Sequence, residues 1–235
     1  MLKQALQRLL PAGASRALAE FKAMLFDDYA RVSYAQEGED LILAELLRGV
    51  DRGFYVDIGA HHPRRFSNTY YFYRRGWRGV NVDARPGGMA AFRRWRPRDI
   101  NVEAAVGRGR SAAVYHQFRD AALNTLDPDL ARWQAGKRGE PFRTVAVTTQ
   151  PLADVLRAHL PPAQGIDFLS VDVEGLELEV LESNDWSRFR PGVIVTESLH
   201  AHVADRSPEP VRRLLAGQGY RPVAGTLRAV FYRLG

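Results

Sequence analysis

Two periodicities alternate along this chain. Short apolar runs, of the kind that form strands buried on both faces, occur at Phe54-Tyr55-Val56-Asp57-Ile58, at Gly79-Val80-Asn81-Val82-Asp83, and over 100–106, 166–172 and 193–197. Between them apolar residues fall at helical spacing, which predicts helices over 39–48, from Ser67 through the aromatic run 70–73 to Gly76, and over 88–95, 151–160, 175–181 and 210–216. Two short strands, 221–223 and 228–233, close the chain. Strands alternating with helices specify an α/β fold with a mainly parallel sheet.

Two regions break the rhythm. Over 111–150, the residues 112–118 alternate loosely and 144–148 reads as a strand. A polar loop with Asn124, Thr125, Pro128 and Gly136-Lys137-Arg138-Gly139 lies between them. This predicts an antiparallel insertion, or a mobile segment covering a site. The first 28 residues are rich in Leu and Ala, carry Lys3, Arg8, Arg16 and Lys22, and are interrupted at Pro11 and Gly13. They predict two short amphipathic helices that pack on the domain, pair in a homodimer or lie on a membrane surface. No continuous apolar core of a signal peptide is found there, and no run is long enough to cross a membrane. The expected organisation is a helical extension over 1–32 and one domain over 33–235 carrying the insertion at 111–150.

Composition narrows the class. With 235 residues, 46% hydrophobic and 26% charged, the chain can bury a full core and is neither disordered nor collagen-like. The absence of cysteine excludes a disulfide framework, thiolate zinc, iron–sulfur ligation and a cysteine nucleophile, and fits a cytoplasmic protein. The net charge is +6, and every basic residue except Lys3, Lys22 and Lys137 is arginine. Residues 64–98 hold ten arginines against one acid, Asp83. These arginines alternate with helix-core positions instead of forming an aromatic-studded stripe. Solvated helix faces are therefore expected, with no nucleic-acid partner.

Ligands of parallel sheets bind at the carboxyl ends of the strands, and each predicted strand ends in an acid: Asp57, Asp83, Glu103, Asp172 with Glu174, and Glu197. Half-buried carboxylates cost free energy unless paired or hydrogen-bonded, so acids at five strand ends on one rim point to a ligand. An acid after the second strand suits the two hydroxyls of a ribose, and Gly59 and Ala60 leave room beside the backbone. A dinucleotide site would show G-x-G-x-x-G. The chain instead has Asp57-Ile58-Gly59-Ala60-His61-His62-Pro63, with one glycine and an acid that repels phosphate. S-adenosylmethionine has no phosphate and carries a sulfonium and an ammonium group, so it fits such a rim.

The motifs around this rim resemble the FkbM family of S-adenosylmethionine-dependent methyltransferases. The matching blocks are Ser33-Tyr34-Ala35-Gln36-Glu37-Gly38-Glu39-Asp40, Tyr55-Val56-Asp57-Ile58-Gly59-Ala60-His61-His62-Pro63, Ser67-Asn68-Thr69, Gly76-Trp77-Arg78-Gly79-Val80 and the run from Ile166 to Glu177 with Asp172-Val173-Glu174-Gly175 at its centre. The resemblance spans about residues 33–200. It implies a class I methyltransferase (Rossmann-like) fold: a seven-stranded, mainly parallel sheet with a reversed terminal strand and helices on both faces. It also implies O-methylation of a sugar, glycan or natural-product acceptor. Asp83 departs from the family, which more often has Glu there; the shorter acid still reaches two hydroxyls.

On this reading Asp57 holds the methionine ammonium, Gly59 and Ala60 face the cofactor, Asp83 takes the ribose, and Glu103 and Ala104 lie by the adenine. Asn68 and Thr69 serve equally as cofactor contacts or as helix caps. Of Asp172 and Glu174, one meets the methionine end and the other accepts the acceptor's proton or ligates a metal. Glu197 would complete an oxygen site for Mg²⁺, although metal dependence is not expected. His200 is the first choice among the histidines as base, ahead of His61, His62 and His202. Trp77 and Trp186 read as core anchors. The rival readings are an RNA-directed methyltransferase, a nicotinamide-dependent oxidoreductase and a non-catalytic binding module that keeps the fold.

Overall fold

The computed structural model describes residues 12–25, 30–198 and 209–235. The chain divides into two compact units, 1–32 and 33–235. In the first unit the described element is helix α1 (Ala12–Leu25), whose Leu18, Phe21, Met24 and Leu25 are all exposed. The other predicted N-terminal helix lies outside the described residues.

The second unit runs α2 (Glu39–Leu46), β1 (Phe54–Ile58), α3 (Tyr70–Arg74), β2 (Arg78–Asp83), α4 (Met89–Trp95), β3 (Ile100–Glu103), β4 (Ala105–Val106) and β5 (Ser111–Gln117). It continues with a 3₁₀ turn (Ala121–Leu123), α5 (Pro128–Arg138), β6 (Arg143–Gln150), α6 (Leu152–His159), β7 (Phe168–Val171), α7 (Glu177–Glu182), β8 (Val193–Glu197), α8 (Glu209–Gly217), β9 (Tyr220–Gly225) and β10 (Ala229–Leu234). Seven strands form the main sheet in the order β3-β2-β1-β7-β8-β10-β9. Strands β3, β2, β1, β7 and β8 are parallel, and β10 runs against both its neighbours. This is the class I methyltransferase architecture with its reversed strand.

Alternation along the strands builds two cores. Val56, Ile58, Val80, Val82, Leu169 and Val171 point to one face and pack with Leu152 and Leu156 of α6, Val180 of α7 and Leu215 of α8. Tyr55, Phe168, Val195 and Phe231 point to the other and pack with Leu43 of α2, Phe72 of α3 and Trp77. Trp186 is buried in the first core, so both expected tryptophan anchors are in place.

Two expectations need correction. The predicted strand 100–106 breaks at Ala104. The N–H of Ala104 donates to the carbonyl of Asp83, where β2 ends. Beyond that point β4 pairs instead with β6, Ala105 beside Thr149. The polar loop of the insertion contains an eleven-residue helix, α5. Asp127 caps it by accepting from the N–H groups of Asp129 (2.8 Å) and Leu130 (3.1 Å), Pro128 opens it, and Gly139 closes it in the left-handed region. Strands β5 and β6 form the expected antiparallel pair.

Candidate active site

The sheet register brings the rim acids together. Asp57 pairs with Asn81 and Ser170, Asp83 with Glu103, and Val171 with Thr196. One position further on, Asp172 stands beside Glu197. Strand parity puts Asp57, Asp83, Glu103 and Glu197 on the face opposite the first core, because Ile58, Val82 and Val102, next to the first three, and Ile194, three residues before Glu197, fill that core.

A cleft of about 780 Å³, counting its open mouth, lies over these strand ends. The sheet contributes Gly59, Asp83 and Ala104, the loop after β7 contributes Asp172 and Glu174, and the insertion supplies a wall of Tyr115, Asn124 and Thr125. A second cleft of about 380 Å³ adjoins it, sharing Gln36, Phe66 and Asp172 and adding Glu39, Asn68, Glu197 and Arg228.

Gly59 (φ 84°) is required by the neighbouring strand end. A Cβ there would stand 1.6 Å from the carbonyl oxygen of Asp172, so the glycine lets the loops after β1 and β7 touch. Gly59 also lines the main cleft. Asp83 is buried and accepts from the backbone N–H groups of His61 and Arg85, both at 2.8 Å. Burial raises its pKa and these two bonds partly restore the charged form. Each carboxylate oxygen keeps a free lone pair, and the residue lines the main cleft.

Asp57 stands elsewhere. It lines neither cleft and accepts from the Thr69 hydroxyl at 2.8 Å. Thr69 in turn accepts from Nη1 of Arg96 at 2.9 Å. Arg96 is fully buried, pairs with Asp99 at 2.7 Å and donates to the Tyr55 hydroxyl at 2.7 Å. Burial raises the Asp57 pKa, while Arg96 and the hydroxyls of Thr69 and Ser170 oppose that rise. Asn68 donates to Ser170 at 3.1 Å and lines the second cleft. Ser67, two residues before Thr69, caps the following turn by accepting from the N–H of Tyr70 at 3.1 Å. Ala60 packs on Met89 and Phe92, outside the cleft lining. Glu103 is exposed and accepts from the N–H of Gly87 at 2.9 Å. His61 lines the main cleft, and burial together with Arg85 lowers its pKa to about 4, so the ring is neutral. His200 and His202 lie outside the described residues.

The loop after β7 is the most acidic part of the site. Burial and the repulsion of neighbouring carboxylates raise Asp172 to about 7 and Glu174 to about 8, and Glu197, hydrogen-bonded to Asp172, rises further for the same causes. Arg228 and Arg138 lower Glu174 only in part. Glu177 is buried, and its Oε1 accepts from the N–H groups of Val173 (3.1 Å) and Gly175 (3.2 Å). Oxygens of Asp172, Glu177 and Glu197 lie within 4.8 Å of one another. The trio formed by the fold thus contains Glu177, where the sequence suggested Glu174. Glu174 stands in the left-handed region (φ 54°) and lines the main cleft.

The sequence model of the methyltransferase FkbM domain matches residues 57–222, most of the chain. The chain belongs to the FkbM methyltransferase family. It is an S-adenosylmethionine-dependent methyltransferase, and S-adenosylmethionine is its cofactor. No curated protein sequence matches it. Among solved structures it is similar to the Burkholderia thailandensis 1,6-didemethyltoxoflavin-N1-methyltransferase with bound 1,6-didemethyltoxoflavin and S-adenosylhomocysteine (16% identity, TM-score 0.45, covering 83% of this chain and 76% of that one). A methyltransferase from Geobacter sulfurreducens matches at 14% identity and a TM-score of 0.43, covering 100% and 96% of the two chains. A putative O-methyltransferase from Klebsiella pneumoniae matches at 13% and 0.37, covering 99% and 95%. Overlaps this loose carry no residue role and no substrate from those proteins to this one.

The residues of this FkbM methyltransferase fit the cofactor's chemistry. A cluster of carboxylates that repel one another and are short of compensating charge is stabilised by a cationic ligand. The main cleft has an acid, Asp83, and not a phosphate cradle, at the end of β2. Sequence reasoning missed Tyr115, Asn124, Thr125, Gln36 and Phe66 as cleft residues. The first three come from an insertion whose docking no local pattern encodes. Gln36 lies inside the matching block Ser33 to Asp40, away from every strand end.

Proposed function

We propose that this enzyme is an O-methyltransferase acting on a hydroxyl of a sugar, glycan or natural-product acceptor, with the cofactor in the main cleft and the acceptor in the second. The observation that carries the reading is the meeting of two clefts at Asp172, which lies within 4.8 Å of Glu177 and Glu197; burial and repulsion from Glu177 raise Asp172, and burial and repulsion from Asp172 raise Glu174 and Glu197. When bound, the cofactor supplies an electrophilic methyl group on a sulfonium. Asp83 accepts from the ribose hydroxyls, and Ala104 and Tyr115 flank the adenosyl half. Asp172 and Glu174 face the cationic half. Asp57 acts from beneath, holding Thr69 and Ser170 in place rather than touching the ligand.

The second cleft supports the acceptor class. Gln36, Asn68, Glu197 and Arg228 offer donors and acceptors beside one aromatic ring, Phe66, a combination suited to a polyhydroxylated molecule. A carboxylate there takes the hydroxyl proton as the methyl moves; Asp172, which opens on both clefts, is best placed for this. Most of the rate gain comes from alignment.

Two measurements test the reading. Asp83→Asn should weaken S-adenosylhomocysteine binding by about tenfold to a hundredfold, the value of hydrogen bonds to a charged group, by isothermal titration. Wild-type affinity in this variant would remove the cofactor from the main cleft. For the acceptor, the enzyme is incubated with ¹³C-methyl cofactor and a panel of glycosides and hydroxylated natural products. The expected product carries a methoxy carbon by NMR; label on nitrogen would overturn O-methylation.

A further inference from the structure

Four non-glycine residues among those described have positive φ: His61, Phe66, Ala163 and Glu174. Three of them, His61, Phe66 and Glu174, line the main cleft. For a bulky side chain this conformation is a true outlier that persists only where surrounding structure imposes it, and such outliers gather at functional sites. Phe66, at φ 57°, is the least expected of the three. A glycine would adopt this turn without steric strain, so the ring stands here against a local cost.

Its surroundings indicate the use. Phe66 lies on the boundary of both clefts, a position it shares with Gln36 and Asp172. The ring of His61 is stacked near it, with centroids 6.4 Å apart and planes at 21°. The guanidinium of Arg65 lies 4.3 Å from the ring centroid, and Arg65 reaches Asp120 of the insertion at 3.8 Å. Asp120 caps the 3₁₀ turn whose Ala121 and Ala122 line the same cleft. The ring is thus braced between the loop after β1 and the insertion, yet it remains 39% exposed, leaving part of its surface for a ligand.

We propose that Phe66 is a positioning residue for the methyl-bearing half of the cofactor: its ring closes the main cleft at the Asp172 end and separates that half from the space the acceptor enters. This rests on the placement of the cofactor in the main cleft. The adenosyl half lies toward Asp83 and Ala104, so of the cofactor the ring meets the amino-acid and sulfonium half, while it also borders the second cleft.

The test compares S-adenosylhomocysteine with adenosine, which lacks that half, by isothermal titration against the full chain and its variants Phe66→Gly, Phe66→Ala and Asp83→Asn. Phe66→Gly should lose about tenfold in affinity for S-adenosylhomocysteine and keep its affinity for adenosine; Asp83→Asn should lose affinity for both. Loss of both ligands in Phe66→Gly would make the ring a general support of the cleft and overturn the proposal. Loss of neither would also overturn it, provided Asp83→Asn still weakens both. If Asp83→Asn changes nothing, the placement of the cofactor fails, and this proposal fails with it. Thermal melting gives an independent measurement. At this φ, Phe66→Gly should melt above Phe66→Ala, the reverse of the usual order; the usual order would show that no strain is held there.

Discussion

Replacing Arg96 should unfold this enzyme more readily than any surface change. Its side chain is wholly buried and makes the 2.7 Å pair with Asp99, a 2.7 Å bond to the Tyr55 hydroxyl and a 2.9 Å bond to Thr69. Arg96→Met keeps most of the aliphatic volume and removes the charge. Breaking a buried pair from one side costs about 3–5 kcal/mol, because the other charge is left behind. Asp99 would not be bare: it still accepts from the Tyr55 hydroxyl (2.8 Å), the N–H of Gly79 (3.1 Å) and Nδ2 of Asn81 (3.0 Å). The expected loss is therefore at the lower end, about 3–4 kcal/mol, or roughly 6–16 °C in melting temperature for a domain of this size. Urea unfolding followed by circular dichroism measures it, with Arg96→Lys as the companion. Lysine keeps the charge without the planar fork and should fall between the two. A loss below about 1 kcal/mol for Arg96→Met, the range of an exposed pair, would show that the network under the rim is not an ionic hub.

Gly59→Ala should abolish S-adenosylhomocysteine binding in a titration, because a Cβ 1.6 Å from the Asp172 carbonyl must displace the loop after β7, on top of about 1–2 kcal/mol for the left-handed backbone; near-native affinity would disprove the close contact. A pH series gives a second outcome. Asp172 and Glu174 are raised to about 7 and about 8, above the ordinary carboxylate range near 4. These two groups then bind more protons in the folded protein than in the unfolded chain between about pH 4 and pH 8, and above about pH 6.5, where His61 no longer opposes them, ligand-free stability should decline as pH rises to about 8. A cationic ligand favours the ionised carboxylates and a neutral one does not. The affinity ratio of S-adenosylmethionine to S-adenosylhomocysteine should accordingly increase between about pH 6 and pH 8.5; a flat or falling ratio would mean that the acids do not face the sulfonium.

The main sheet was legible because each of its strands is a local pattern with a local stop. Phe54–Ile58 and Val193–Glu197 are apolar runs ended by small or acidic residues, and the alternation needs no knowledge of partners. Helix α5 carries local signals too, its Asp127-Pro128 start and Gly139 end, but its polar surface lacks the apolar stripe that marks a helix in the sequence. The break at Ala104 was not legible, because it depends on β2 ending at Asp83 and on β6 waiting some forty residues further on. The same limit governed the site. The presence of acids at the strand ends could be read from their spacing. Which of them face the cleft could not. Asp57 belongs to the Arg96 network through Thr69, and Glu177 joins Asp172 and Glu197; both facts are set by contacts distant in sequence.

The acidic rim carries its own physical cost, and the fold shows how that cost is met. Asp172 and Glu197 are held side by side by the pairing of β7 with β8, which the two cores stabilise whether or not the carboxylates agree. Glu177 is pinned by the N–H groups of Val173 and Gly175, and Glu174 is kept in the left-handed region while its carbonyl accepts from the Thr125 hydroxyl at 2.8 Å. None of these restraints neutralises charge; they only prevent the acids from turning away. A site arranged this way is least stable when empty and gains most from a ligand that brings positive charge. A dinucleotide would add negative charge to the same place. On the proposed placement of the cofactor, selection of a sulfonium nucleoside over a phosphate-bearing one follows from the rigidity of the rim as much as from its composition.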